Sequence, residues 1–422
     1  MTAAATLGRL APDDNTAADA LLDTVSLYLH IPFCHAKCHY CDFNSYAGML
    51  GLREQYVDAL LREIALAGMR ALLPDGSPRR CRTIFFGGGT PSLLTAEQVQ
   101  QVLAAAGRAF AVDAGAEVTL EANPGTLEYG RLDELHAVGV NRLSMGAQSF
   151  DAGLLRWMGR IHTPEEIESA YAAARAAGFG SINLDFIYAL PDQPMATWES
   201  TLERALALRP DHLSLYSLIV EEGTPLHRWV AQGRVSAVDD DIAADMYELA
   251  EARLAQAGYQ QYEVSNWALP GHRCRHNLTY WHNLPYIGLG AGAHGWYATR
   301  RYSEARPIRD YITRVGRSIA ATEAEPHALP AAAIVESELI SPALEMAETG
   351  MLGLRLVEGL DLSAFMHRFG RDFDALYGER LADVWEAGLL ERHGTWLRLT
   401  ERGRLLGNEV FGRLLPENAS SG

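Results

Sequence analysis

Three cysteines fall within eight residues, Cys34-His-Ala-Lys-Cys38-His-Tyr-Cys41, directly after the apolar run Leu27-Tyr-Leu-His-Ile-Pro-Phe33. This C-x3-C-x2-C spacing puts three thiolates on one tight loop and supplies no fourth. An iron–sulfur cubane ordinarily takes four cysteine thiolates, one per iron, so such a loop leaves one iron open to an outside ligand. The alternative is a structural zinc with His35 or His39 completing a Cys3His set. Structural zinc usually joins two separate knuckles, whereas here every thiol lies on the same loop. The spacing therefore favours a [4Fe–4S] cluster on Cys34, Cys38 and Cys41. His35, Lys37 and His39 are then loop residues that tune solvent and charge beside it.

An open iron needs a chelating ligand. S-adenosylmethionine (SAM) offers an amine and a carboxylate on one carbon, enough to close a five-membered chelate ring. Electron transfer from the cluster would then cleave the sulfonium and leave a 5′-deoxyadenosyl radical, the cofactors carrying the hard step while the protein positions them.

The whole chain is compatible with that chemistry. Its 422 residues suit two or three domains. The net charge, 36 − 53 = −17, disfavours nucleic acid and anionic membranes as partners. Lys37 is the only lysine. Five cysteines, three of them crowded, do not resemble a disulfide framework, and Cys81 and Cys274 read as plain buried thiols. No segment approaches about 18 consecutive apolar residues, so no transmembrane span is expected. Met1 to Asp23 lacks a basic start and an apolar core. A cytoplasmic, reducing location is expected.

Around the loop, strand and helix patterns alternate. Strands are expected at Ser26–Ile31, Thr83–Phe86, Glu117–Glu121, Arg142–Met145, Ile182–Ile187 and His212–Leu218. Amphipathic stretches such as Glu54–Leu66, Ala96–Ala109, Pro164–Ala177 and Met195–Leu208 separate them. A helix at Asp241–Ala257 and a seventh apolar pattern at Tyr262–Val264 follow. This rhythm predicts an α/β fold, a partial (β/α)6 barrel, because a closed eight-stranded one takes about 250 residues. Polar or glycine residues close all six strands, where such barrels place their sites. They are the cysteine loop, Gly87-Gly-Gly-Thr-Pro91, Glu121-Ala-Asn-Pro124, Gly146-Ala-Gln148, Asp185 and Tyr216-Ser217.

The expected organisation is a tail over 1–23, the barrel over 24–266, a loop-rich segment over 267–330, a smaller helical, winged-helix-like domain over 331–415, and a tail over 416–422. His393-Gly394 between two apolar runs reads as a hairpin turn. The last part carries 9 basic and 15 acidic residues from Ala331 onward, which disfavours a DNA-binding wing.

Cysteine spacing plus a glycine-rich strand end resembles the radical SAM superfamily, over residues 25 to about 265. Tyr28-x-His30-x-Pro32-Phe33-Cys34, Gly87-Gly-Gly-Thr-Pro-Ser92, Gly146-x-Gln148-Ser-Phe150 and Asp185-x-Ile-Tyr-x-Leu-Pro191 are similar to the branch around oxygen-independent coproporphyrinogen III oxidase. That resemblance implies SAM contacts for Tyr28, Tyr40, Gly88, Gly89, Thr90, Glu121, Gln148, Arg160 and Asp185. The oxidases read C-x3-C-x2-C-x-C, but Phe43 stands at the last position here, and only 33 residues precede Cys34. Both departures argue against porphyrinogen decarboxylation.

His276-Asn-Leu-Thr-Tyr-Trp281 resembles instead the HNxxYW motif of the HemW group of haem chaperones. The resemblance implies haem as bound cargo, with His276, Tyr280 and Trp281 as its candidate residues; His294, in the glycine-rich loop Ile287-Gly-Leu-Gly-Ala-Gly-Ala-His294, is a second and lesser candidate by residue type. It further implies a haem-accepting protein, and an electron donor such as a flavodoxin or ferredoxin if SAM is cleaved. Read blandly, by residue type alone, His276 to Trp281 is a loop with an aromatic anchor. The competing reading is an enzyme acting on a porphyrin, an oxygen-independent coproporphyrinogen III oxidase or another radical SAM catalyst.

Overall fold

In the computed structural model, which describes residues 23–127, 129–320 and 329–416, each of the six expected strands is present. They are β1 Thr24–Ile31, β2 Arg80–Gly88, β3 Ala111–Ala122, β4 Arg142–Gln148, β5 Ser181–Tyr188 and β6 His212–Ser217. Each pairs in parallel with the next, in chain order. Helices Arg53–Arg70, Ala96–Ala109, Pro164–Ala176 and Met195–Leu208 fill crossovers between them. Local chemistry starts these helices where expected: Thr95 with Gln98, and Thr163 with Glu166, form reciprocal capping boxes. Apart from Asp23 and Pro416, the expected tails lie outside the described residues.

Strand alternation divides the barrel into two environments. Leu27, Leu29 and Ile31 of β1 face the helices and are buried in the main apolar core. Ser26, Tyr28 and His30 face the concave side, where their counterparts on β2 to β6 are also mostly polar. Several side chains there satisfy one another, within and across strands. Asn183 donates to Asp185 at 2.8 Å and to the Ser144 hydroxyl at 2.7 Å, and His212 bonds Asn183 at 2.7 Å and Tyr262 at 2.8 Å. Buried polar groups left unpaired would cost roughly 1–3 kcal/mol each.

The segment 267–330, expected to be loop-rich, is instead largely regular over its described residues. It contains β7-flanking structure and the second half of the sheet: after β7 Gln260–Glu263 and β8 Asn266–Ala268 come the helix Arg275–Trp281, β9 Tyr286–Leu289, β10 His294–Tyr297, β11 Arg300–Glu304 and the helix Ile308–Ala320. β12 Ile334–Leu339 completes one twelve-stranded sheet in the order β12-β11-β10-β9-β1-β2-β3-β4-β5-β6-β8-β7. β9 lies parallel to β1, from Ser26 opposite Tyr286 to Leu29 opposite Leu289. The seventh pattern, at Tyr262, is an antiparallel hairpin strand rather than another βα unit. In Ile287-Gly-Leu-Gly-Ala-Gly-Ala-His294, Gly290 (φ 101°) and Gly292 (φ 80°) turn the chain between β9 and β10, whereas Gly288 serves close packing. A methyl on Gly288 would sit 1.8 Å from the His294 carbonyl oxygen.

A buried carboxyl holds this second half to the first. Glu63 accepts hydrogen bonds from the Gly290 amide at 2.9 Å, the Ala332 amide at 2.8 Å and the Tyr311 hydroxyl at 2.7 Å. Burial raises its pKa, and Glu304 beside it is raised well above the carboxylate range by burial and by Glu63.

The C-terminal part has its own core, formed by residues such as Leu354, Phe365, Phe373, Val384, Leu397 and Val410. That core begins at Ala347, because Ile334–Leu339 pairs with β11 and belongs to the main sheet. The hairpin turns at Gly394, φ 61°, between Leu390–His393 and Trp396–Leu399, and Leu360–Asp361 adds a third strand. Polar contacts dock this domain: Arg301 on Glu348 at 2.8 Å, Arg273 on Glu358 at 2.7 Å, and Asn283 on Thr349 at 3.0 Å.

Glu63→Ala strands two amides and a hydroxyl in the interior, so it should lower unfolding stability by roughly 3 kcal/mol, measured by urea denaturation. Because Glu63 and Glu304 hold protons more tightly folded than unfolded, wild-type stability should fall as pH rises above the ordinary carboxylate range. Glu63→Gln should flatten that slope; an unchanged slope would remove this pair as its source.

Candidate functional site

The site is assembled at the C-terminal ends of β1 to β6 and the adjoining turn after β9. Phe33–Cys34 pairs in parallel with Tyr46–Ala47, so the cysteine loop leaves and rejoins one short ladder. Lys37 reaches across the loop to the Phe43 carbonyl and, at 3.0 Å, to the Ser45 hydroxyl. His39 is tied down by Nδ1 to the Trp157 carbonyl at 2.8 Å. Cys34, Cys38 and Cys41 are each partly exposed. Thr90 Oγ1 donates to Cys34 Sγ and Arg160 to Cys38 Sγ, both at 3.5 Å, and donors of this kind stabilise thiolates. Among the described residues no three His, Cys, Asp or Glu side chains converge as ligands of a single ion. A cubane spreads its thiolates over different irons, and three thiols on one donor-lined loop suit that group.

The glycine-rich turn forms the next wall. Gly88 has φ 109°, and a methyl there would lie 2.5 Å from the His30 ring. The Gly88 amide donates to Glu121 at 3.0 Å. Burial, with the Asp185 charge adding to it, raises the Glu121 pKa to about 8. Asp185, also raised by burial, accepts from Asn183 and Ser144. Arg160 bonds the Gly146 carbonyl at 2.6 Å and also Asn123. Gln148 is held at φ 67°. A close-approach glycine turn with carboxylates beyond it fits a ligand carrying hydroxyls and an ammonium, as SAM does.

A cavity of about 400 Å³ opens here. Tyr28, His30, Gly88 and Glu121 line one side; Tyr280, Tyr286 and His294 line the other, with Phe43 and Arg306 among its remaining residues. Of the residues expected to meet SAM, Tyr28, Gly88 and Glu121 border this cavity. Tyr40, Gly89, Thr90, Gln148, Arg160 and Asp185 do not.

The HNxxYW segment is a short helix rather than a loop, and it separates its residues. Glu117 accepts from the first two amides, Arg275 at 3.0 Å and His276 at 2.9 Å, satisfying the open helix end. His276 is buried with both ring nitrogens engaged, by Thr83 at 2.7 Å and Tyr280 at 2.8 Å. Burial pushes its pKa down to about 3. Tyr280, four residues on and so on the same helix face, carries this network to the cavity wall. Trp281 turns elsewhere, and the Arg355 guanidinium of the C-terminal domain lies 4.5 Å from its ring centroid.

Sequence reasoning assigned no role to His30, Asn44, Tyr286 or Arg306. His30 was detectable as one of the polar residues alternating through β1. Arg306 lies in no motif, and only the fold brings it to the cavity.

These features have counterparts in known proteins. A family profile for the radical SAM superfamily matches residues 28–205, and one for the HemN C-terminal domain matches residues 340–406. "Heme chaperone HemW" of Bacillus subtilis (strain 168) is 36% identical over 93% of this chain and 99% of its own. The Escherichia coli (strain K12) protein of the same name is 36% identical over 94% and 99%. The chain belongs to the HemW family of the radical SAM superfamily. Membership implies a [4Fe–4S] cluster and SAM. The solved structure of coproporphyrinogen III oxidase, HemN, from Escherichia coli is similar over 94% of this chain and 92% of that one, with TM-score 0.79 and 25% identity. Phe43, where the oxidases' motif has cysteine, is 60% exposed at the cavity.

Gly88→Ala should abolish SAM binding by anaerobic calorimetry while leaving the iron content of reconstituted protein unchanged. Wild type should bind SAM more tightly than Glu121→Gln above about pH 8, and that advantage should vanish as Glu121 protonates below it. An advantage independent of pH would exclude the Glu121 carboxylate as a SAM contact.

Proposed function

We propose that this protein is a haem chaperone, binding haem at the cavity above its sheet and passing it to a haem-accepting protein, with a cluster on Cys34, Cys38 and Cys41 and SAM beside Gly88 and Glu121. One observation carries the reading: similarity to HemW proteins runs through barrel, cavity wall and C-terminal domain alike, over 93% of the chain in the first comparison. The apolar and aromatic surfaces of Phe43, Tyr280 and Tyr286 suit the face of a macrocycle. His276 acts in this reading through Tyr280, whose hydroxyl it holds, and Trp281 links the helix to the C-terminal domain.

When bound, the cluster and SAM supply one-electron chemistry. The chain's own contribution is positional. Thr90 and Arg160 hold cluster thiolates, Gly88 admits a ligand against the backbone, and Glu121 offers an acceptor. If SAM is cleaved, a flavodoxin- or ferredoxin-like donor supplies the electron.

The second reading, an oxidase or another radical SAM enzyme acting on a porphyrin, is favoured by the similarity to HemN. The test gives anaerobically reconstituted protein SAM, reductant and coproporphyrinogen III, and separately titrates it with haem. Stoichiometric haem binding without protoporphyrinogen IX is expected. Turnover without haem affinity would replace the chaperone by the oxidase. Cys38→Ala should lose the cluster's absorbance and iron; full iron content would overturn the cluster assignment.

A further inference from the structure

The cavity has two histidines in its wall, and they differ in what their rings are free to do. His30 is buried, with Nδ1 bonded to the Tyr28 hydroxyl at 3.1 Å and Nε2 to the Asn44 carbonyl at 2.8 Å. His294 is exposed, and among the described residues its ring makes no hydrogen bond. His276, the motif histidine, lies behind Tyr280 with both nitrogens engaged. An axial ligand to haem iron needs an accessible ring nitrogen with a free lone pair. His294 alone of these three offers one.

Its backbone is fixed although its side chain is free. His294 opens β10 opposite Ser303, and the preceding turn closes through the Ala293 amide on the Gly290 carbonyl at 2.9 Å. Gly295, next in the chain, abuts the Tyr302 ring so closely that a methyl would come within 2.2 Å of it. A rigid backbone presenting an unpaired imidazole into a cavity is a preorganised ligand.

A cation stands beside it. The Arg306 side chain is exposed at the cavity and forms no ion pair among the described residues. Its carbonyl is clamped by Asn44 Nδ2 at 2.9 Å and the Tyr46 hydroxyl at 3.1 Å. Asn44 also donates to the Ala291 carbonyl at 2.8 Å. One asparagine of the cysteine loop thus fastens both the His294 turn and Arg306. An unpaired guanidinium is suited to bind a carboxylate in bidentate fashion, and haem carries two propionates.

We propose that His294, rather than His276, is the axial ligand of the haem iron, and that Arg306 pairs with a haem propionate. This rests on the haem-binding reading above and assigns its ligand. His276 is then a positioning residue for Tyr280.

The test titrates the full reconstituted chain with ferric haem and, in parallel, with metal-free protoporphyrin IX. His294→Ala should weaken haem binding at least tenfold and lose the wild-type Soret band, while protoporphyrin IX affinity stays within twofold. Added imidazole should restore the band. His294→Tyr should convert the ferric spectrum to a high-spin, phenolate-ligated type, which a merely structural role would not produce. Arg306→Met should weaken haem and protoporphyrin IX together, with the Soret position unchanged. A His294→Ala protein that keeps wild-type haem affinity and spectrum overturns the assignment, as does loss of the Soret band in His276→Ala alone. Unaltered cluster absorbance in each variant confirms folding. Absence of haem binding by wild type would instead refute the chaperone reading, so the two failures are distinguishable.

Discussion

The parallel pairing of Tyr286–Leu289 with Thr24–Ile31 is the constraint on which the site depends. It adds a seventh parallel strand on the side of β1 opposite β2. As a result, the turn after β9 lies next to the turn after β1, and the latter is the cysteine loop. Gly288 in turn lets β10 approach β9, because the His294 carbonyl occupies the space a side chain would fill. The pairing is secured from below by Glu63 on the Gly290 amide and from above by Asn44 on Ala291 and Arg306. Without it, the cavity would have only the side formed by Tyr28, His30, Gly88 and Glu121.

The same geometry explains why this barrel carries so many polar side chains on its concave face. A parallel sheet covered on both sides ordinarily shows continuous apolar strands. Here one side is apolar against helices, while the other supports a ligand site and must keep donors and acceptors available. Burying carboxylates on that face is costly. Burial raises the pKa of both Glu121 and Asp185, and the Asp185 charge adds to the rise at Glu121.

The helix Arg275–Trp281 connects the two parts of the molecule. One face holds His276 and Tyr280 against the barrel interior, and Ser26 meets Thr279 at 2.9 Å. Another presents Trp281 to Arg355, which also reaches buried Glu263 at 3.6 Å. A motif that looks like one recognition unit in sequence is therefore divided between the cavity wall and the domain interface. Tyr280 is placed by that helix, and the C-terminal domain braces it.

Much of this was legible from residues alone. The cysteine spacing, the six strands and the glycine-rich turn after β2 are local features, since each depends on side-chain type and short-range periodicity. The HemW resemblance was likewise carried by contiguous motifs. The segment 267–330 departs from its expectation, because a glycine that lets strands approach closely, Gly288, looks the same in sequence as the turn glycines Gly290 and Gly292. Whether a histidine is a free ligand or a satisfied core residue was equally invisible. His276 and His294 both lie in suggestive motifs, and only their neighbours distinguish them: Thr83 and Tyr280 occupy one ring, and no hydrogen bond from the described residues occupies the other. Sequence by itself determined the chemistry of the cofactor loop, because ligand number and spacing are written in consecutive residues. The tertiary structure decided which side chains remain available to cargo, because availability depends on partners 193 residues away, as Thr83 is from His276.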